Sequence, residues 1–343
     1  MPNSIRKVSI VGCGNVGMRF AYSLVIEGIA RELVLVDYMK EKAAGEAMDL
    51  SDGGPFISPI DIYSGDYSDT VGSDLVVITA GAGRKPGQTR MELAKGNVEI
   101  IKEIVSEIVK YSPEAVILMV SNPVDVLSYV AYKVSGKPSG QIIGSGTLLD
   151  TARLVNLLKD MFEVNVRSIY APIFGEHGET AFPAWSKVTI GGMPVEDAFC
   201  SLTNTSESRG AEAACGTEAV CGTEAACGAE AACGCKKELD RIFQETKDRG
   251  KEIIKRKGET SYGIGISLTK IAKAVLKDEN SVLSVSTLLE DYYGISNVFL
   301  SVPAVINRQG VKKILKINFN EEEIKALHHS AEEVKKVIKE VGF

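Results

Sequence analysis

Short apolar runs alternate with longer stretches of helical periodicity through the first 145 residues. The runs at 8–11, 33–36, 60–65, 75–80, 115–121 and 141–145 are short and bounded by polar or glycine positions, so they predict strands. Between them, 18–30, 92–111 and 124–134 repeat apolar residues at helical spacing. Strands interleaved with helices predict an α/β fold with a parallel, doubly wound sheet. Such sheets bind ligands beyond the carboxyl ends of their strands. The second half reads differently. Amphipathic helices at 239–257 and 264–277 are followed by strands at 282–288, 298–302 and 314–317, and a charged helix at 321–341 closes the chain. This pattern predicts a mixed α+β second domain. The expected division is 1–146 for dinucleotide binding and 147–343 for substrate.

The first strand runs into Gly12-Cys13-Gly14-Asn15-Val16-Gly17, and the second ends on Asp37, twenty positions after Gly17. Strand, glycine turn, helix, strand, acid is the order of a dinucleotide site. Gly12 permits the tight turn, Gly14 lets the backbone approach a pyrophosphate, and Gly17 lets the helix pack close on the sheet. The helix amino terminus faces the phosphate charge. Asp37 can accept from both ribose hydroxyls and would repel a 2′-phosphate, which favours NAD over NADP.

Polar residues gather after the other strands. Residues 81–90, Gly-Ala-Gly-Arg-Lys-Pro-Gly-Gln-Thr-Arg, form a cationic loop suited to an anion. Ser121-Asn122-Pro123 closes the next strand. Asp150 and Arg153 lie three apart at the start of a helix and share a face, which by itself is also the spacing of an ordinary exposed ion pair. Gly175-Glu176-His177-Gly178 places the chain's one histidine outside the terminal helix between glycines. Arg90, taken alone, could equally be a solvated loop cation.

Together, and in this order, these motifs resemble the L-lactate/malate dehydrogenase family from the first strand to the terminal helix. The resemblance implies NAD as cofactor and an enzyme that interconverts a 2-hydroxy acid and its 2-oxo acid. It implies His177 as the proton carrier, Asp150 as its carboxylate partner, Arg153 as the clamp on the substrate carboxylate and Arg90 as the residue that polarises the carbonyl. It also implies Asn122 at the reacting oxygen and Thr260 near the substrate side chain. Asn15, Val16, Gly81, Asn97, Val120 and Asn122 are expected to contact NAD with the glycines and Asp37. No metal site is expected. The family forms dimers or tetramers, so a homo-oligomer is expected.

Arg84 bears on which acid. Family members acting on malate carry arginine here in the phrase Arg-Lys-Pro-Gly, present as residues 84–87, whereas those acting on lactate usually carry glutamine. A second substrate carboxylate would pair with Arg84 in a closed site, while the methyl of pyruvate would leave a buried guanidinium unpaired. This favours malate and oxaloacetate, with a place in the tricarboxylic acid cycle. Residues 144–147, 182–186, 284–288 and 300–303 look more like lactate enzymes and keep L-lactate dehydrogenase as the alternative.

Composition changes one part of this picture. The chain has 343 residues, 45% hydrophobic, with 39 basic and 45 acidic side chains for a net charge of −6. The acidic excess argues against a nucleic-acid partner. No apolar run approaches the roughly 18 residues of a membrane span, nor does one open the chain, so a cytoplasmic protein is expected. Six of the seven cysteines and a net −4 fall within residues 200–235, an insertion relative to the family. Its imperfect hexad, Ala214-Cys215-Gly216-Thr217-Glu218-Ala219 and its repeats, places cysteines on one face of a strand but rotates them by about 120° each time on a helix. The recurring glycine disfavours helix, so a flexible surface excursion is expected. Five residues between cysteines do not fit the two to four usual in zinc sites. A metal-buffering or redox-sensing protein is the reading of another class.

Overall fold

The computed structural model describes residues 6–83, 90–203 and 229–343. In chain order the elements begin β1 (Lys7–Val11), α1 (Asn15–Glu27), β2 (Glu32–Val36), α2 (Lys40–Asp52), β3 (Asp61–Ser64), β4 (Leu75–Ile78), α3 (Arg90–Tyr111), β5 (Val116–Met119), α4 (Val124–Ser135), β6 (Ile142–Gly144) and α5 (Leu148–Phe162). Five two-residue strands follow, β7 (Ile169–Tyr170), β8 (Ile173–Phe174), β9 (Phe182–Pro183), β10 (Thr189–Ile190) and β11 (Met193–Pro194). The chain continues through α6 (Val195–Thr203), α7 (Ala229–Lys257), α8 (Tyr262–Leu276), β12 (Ser281–Leu289), β13 (Val298–Asn307), β14 (Gly310–Ile314) and α9 (Glu321–Glu340). Among the described residues, no helix is long and apolar enough to cross a membrane.

Two compact units result. The first comprises Met1–Leu149, Phe174–Phe182 and Glu259–Phe343; the second comprises Asp150–Ile173 and Pro183–Gly258. The first is built on one nine-stranded sheet of order β14-β13-β12-β6-β5-β4-β1-β2-β3. Strands β1 to β6 run parallel to one another, and every residue of β1, β4 and β5 is buried. Such continuous burial is what a parallel strand covered on both faces requires. Strand β12 joins antiparallel through Ser286 opposite Gly144, and β13 and β14 extend it. Helix α1 packs on α8, and Phe20, Leu24, Ile10 and Leu33 are fully buried in the shared core. The order reverses where β1 lies between β2 and β4, so the ends of β1 and β4 frame the crevice of a doubly wound sheet.

The predicted α/β class and parallel sheet are present. Among the details that differ, three have a clear physical reason. Helix α2 was not predicted because only Ala43 and Ala47 are buried along it, leaving no stripe of large apolar residues. The last strand is Gly310–Ile314 rather than 314–317. Its exposed Lys312 and Lys313 lie at the sheet edge, where burial does not set the pattern. Helix α7 starts at Ala229, ten residues before the predicted start, so the end of the insertion is helical despite Gly234. Cysteines 215, 221 and 227, with the rest of 204–228, lie outside the described residues.

The second unit holds most of α5, with α6, α7 and the antiparallel sheet β11-β10-β7, and α6 packs on β10, β11 and α7. Residues Thr151 and Ile173 tie its first segment, the threonine Oγ1 accepting the Ile173 N–H at 3.0 Å.

Candidate active site

The turn after β1 is shaped by contacts that exclude side chains. Gly12 has φ +108°, and a Cβ there would sit 2.5 Å from the Ala80 backbone nitrogen. A Cβ on Gly17 would collide with the Gly12 carbonyl, whose oxygen already accepts the Thr79 hydroxyl at 2.7 Å. Gly14 differs: nothing lies within 4 Å of its would-be Cβ, and the residue is exposed at the N-cap of α1. A bare, exposed backbone at a helix amino terminus is what a phosphate needs. Asn15 is exposed beside it and donates to Glu259; Val16 is half-buried.

Asp37 completes this turn. Its Oδ2 accepts the Cys13 N–H at 2.6 Å and its Oδ1 the Met39 N–H at 2.9 Å. Each oxygen keeps a lone pair for a ribose hydroxyl. Burial and the Asp37 charge push the Cys13 thiol up to about 12, so it stays protonated. A cleft of about 720 Å³ opens here, lined by Gly12, Gly14, Asp37, Tyr38, Gly81 and Ile104 among others. The bare Gly14 backbone, the Asp37 carboxylate and the cleft together fit a dinucleotide.

Asn97 links the neighbouring strand ends. Buried on α3, it accepts the Ala82 N–H at 2.8 Å and donates to the Asn122 carbonyl at 2.8 Å. The 81–83 backbone is thereby tied to the segment after β5, where Val120 is buried and donates through N–H to the Ile78 carbonyl. The Asn122–Pro123 peptide is cis, and the Asn122 residue is exposed.

The histidine turn lies in the same unit. Gly175, at φ +88°, pairs with Ser301 of β13 through both backbone bonds. His177 is half-buried, and its N–H donates to Asp125 Oδ2 at 2.8 Å. Glu176 accepts the Thr180 hydroxyl at 2.5 Å, and Ser330 of α9 donates to the Thr180 carbonyl at 2.7 Å. Thr260 sits half-buried between α7 and α8. Asp125 was not singled out from the sequence. It is fully buried and also accepts the Ser286 hydroxyl on Oδ1 at 2.6 Å. Burial pushes its carboxyl up to about 6, opposed by the Ser286 and His177 hydrogen bonds and the His177 charge. The available signal was an acid in the otherwise apolar start of α4, Val-Asp-Val-Leu.

In the second unit, Asp150 Oδ1 and Arg153 Nη1 form an ion pair at 3.1 Å, each side chain 16% exposed. Both guanidinium Nη atoms lie 3.5 Å from where a Cβ on Gly250 would be, so the glycine of α7 gives the head group room. Arg84 lies outside the described residues, and Arg90 is described only as the first residue of α3. Among the described residues no cluster of three or more His, Cys, Asp or Glu could hold a metal.

Comparison with known proteins agrees with this geometry. Residues 6–144 match the model of the lactate/malate dehydrogenase NAD-binding domain, and residues 147–213 and 204–342 that of the lactate/malate dehydrogenase alpha/beta C-terminal domain. The L-lactate dehydrogenase of Priestia megaterium is 46% identical over 326 residues, 95% of this chain and 93% of that protein. That of Acetivibrio thermocellus is 42% identical over 98% of this chain and 97% of its own. Among solved structures, a lactate dehydrogenase from a Medee basin deep-sea metagenome superposes with a TM-score of 0.88 at 38% identity, covering 99% of this chain and 100% of that one. These likenesses correct the expectation, drawn from Arg84, of malate and the tricarboxylic acid cycle: the relatives are lactate enzymes. One loop cation sets substrate charge only if it turns into the closed site, whereas the lactate-like segments are spread through the scaffold. The protein is an oxidoreductase of the lactate dehydrogenase type, and NAD is its cofactor. The chain belongs to the lactate/malate dehydrogenase family.

Proposed function

We propose that this protein is an NAD-dependent L-lactate dehydrogenase, interconverting lactate and pyruvate in the cytoplasm as a homodimer or homotetramer. Near-full-length identity of 42–46% to enzymes named L-lactate dehydrogenase carries this reading over other 2-hydroxy acids. In it, residues 1–146 serve the cofactor and 147–343 the substrate. Bound NAD supplies the hydride acceptor. The glycine turn and α1 amino terminus hold the pyrophosphate, Asp37 the ribose, and Gly81, Asn97, Val120 and Asn122 the nicotinamide side.

His177 takes the hydroxyl proton in lactate oxidation and returns it in pyruvate reduction, an exchange that an imidazole suits near neutral pH. Asp150 is the carboxylate assigned to that imidazole. Arg153, already oriented by Asp150, offers two parallel N–H donors to the substrate carboxylate, a geometry that lysine lacks. Arg90 and Asn122 serve the reacting oxygen, and Thr260 the methyl end. NADH oxidation with pyruvate and with oxaloacetate, assayed side by side, tests the proposal. Pyruvate is expected to give the higher kcat/KM; faster turnover of oxaloacetate would overturn it.

A further inference from the structure

The histidine turn is held by a buried carboxylate. Asp125 sits on the first turn of α4 at 2% exposure, and its two oxygens divide between two elements. Oδ2 takes the backbone N–H of His177 itself at 2.8 Å, while Oδ1 takes the hydroxyl of Ser286 on β12 at 2.6 Å. Ser286 is itself fully buried and lies opposite Gly144 in the sheet, where a Cβ on the glycine would strike it at 2.7 Å. Ser128, three residues along α4, adds another fully buried hydroxyl, its Oγ without a partner among the described residues. The charges that act on Asp125 include those of His177 and Glu176, both on the turn.

A buried carboxylate is costly, and a neutral amide would close the same gap more cheaply. The charge is spent on one backbone N–H of the histidine turn and one fixed hydroxyl of the sheet. We infer that Asp125, anchored by Ser286, is a positioning residue for His177, fixing the backbone from which the imidazole projects and setting the field in which its proton moves. This rests on the reading of His177 as proton carrier.

The consequences are separable. Asp125→Asn keeps the shape but removes the charge and turns an N–H₂ toward one of two donors. Misplacement by about 1 Å can cost on the order of a hundredfold in rate, so kcat/KM for pyruvate is expected to fall between about tenfold and a hundredfold. NADH affinity, read by fluorescence quenching, is expected to stay within about twofold, because the cofactor turn is built from other residues. Loss of a nearby negative charge makes the imidazolium easier to deprotonate. The alkaline fall of pyruvate reduction therefore moves to lower pH, by about half a pH unit.

Ser286→Ala retains the charge and loosens the anchor: kcat falls several-fold while the alkaline limb stays in place. A folded Asp125→Asn enzyme with wild-type kcat/KM and an unmoved limb would overturn the inference. If that variant does not fold, a Ser286→Ala enzyme with unchanged kcat would do so. His177→Asn is the control for the underlying reading. Wild-type turnover there defeats the assignment of His177 as base, irrespective of how the Asp125 variants behave.

Discussion

Two glycine turns in this molecule use the same device, a carboxylate that accepts a backbone N–H, and put it to opposite ends. In the β1–α1 turn, Asp37 receives Cys13 N–H and Met39 N–H and remains half-buried on the wall of a cleft. In the histidine turn, Asp125 receives His177 N–H and is sealed in the core. The first carboxylate organises a loop and still lines an open cleft; the second is closed off from solvent and touches the turn it holds. The difference is burial. In a closed environment a carboxylate favours its neutral form, which is why Asp125 titrates near 6.

The largest effect expected is on chemistry alone. His177→Asn should lower kcat by about a thousandfold, within the range that general acid–base groups contribute, while NADH binds as before. A matching loss of NADH affinity would mean that the two turns are not independent.

Next come the glycines that close each turn. Gly12→Ala places a Cβ 2.5 Å from the Ala80 backbone nitrogen at φ +108°, and neither can move without the sheet. Gly175→Ala meets the Ser330 hydroxyl at 2.5 Å at φ +88°; that side chain can rotate, at the loss of its bond to Thr180. Thermal and urea unfolding should therefore report about 3 kcal/mol or more for the first and about 1–2 kcal/mol for the second. The reverse order would show that the histidine turn is the stiffer of the two.

Burial of Asp125 also has a signature in pH. Unfolded, the group titrates near 3.8 and folded at about 6, so between these values the native state holds the extra proton. Its contribution to stability is complete below the lower value and declines as pH rises through the higher one. Asp125→Asn lacks this slope. Its stability relative to wild type should rise by about 1.5 kcal/mol between pH 5 and pH 7.5, measured by urea unfolding. The variant would thus lose activity while gaining relative stability near neutrality. A flat difference would mean that the carboxylate carries no burial cost.

These contrasts also explain what could be read in advance. The cofactor turn is legible because its chemistry is local: glycines, helix start and acid lie within 26 residues, and backbone contacts force Gly12 and Gly17. The parallel strands are legible because burial on both faces makes them continuously apolar. Asp125 was not, because its meaning depends on Ser286, 161 residues away across the sheet. Helix α2 was not, because alanines alone cover its buried face. Arg84 misled for the same reason in reverse, since a charge in a loop has no function until its surroundings are known, and a full-length likeness outweighed it.

The smallest effect sharpens the comparison within a single turn. Gly12 and Gly14 are two residues apart, yet only one is required by the protein itself. Gly14 has an ordinary φ of −79° and open space around its would-be Cβ. Gly14→Ala should therefore not lower the unfolding midpoint of the cofactor-free protein, since the methyl meets nothing and removes some backbone freedom from the unfolded chain. What the methyl obstructs is the approach of a pyrophosphate to the α1 amino terminus. Affinity for NADH is expected to drop by about tenfold, an energy of about 1.4 kcal/mol, with kcat at saturating cofactor preserved. Equal affinity would place the pyrophosphate elsewhere along the cleft, and a lowered midpoint would mean that Gly14, like Gly12, is there for the fold.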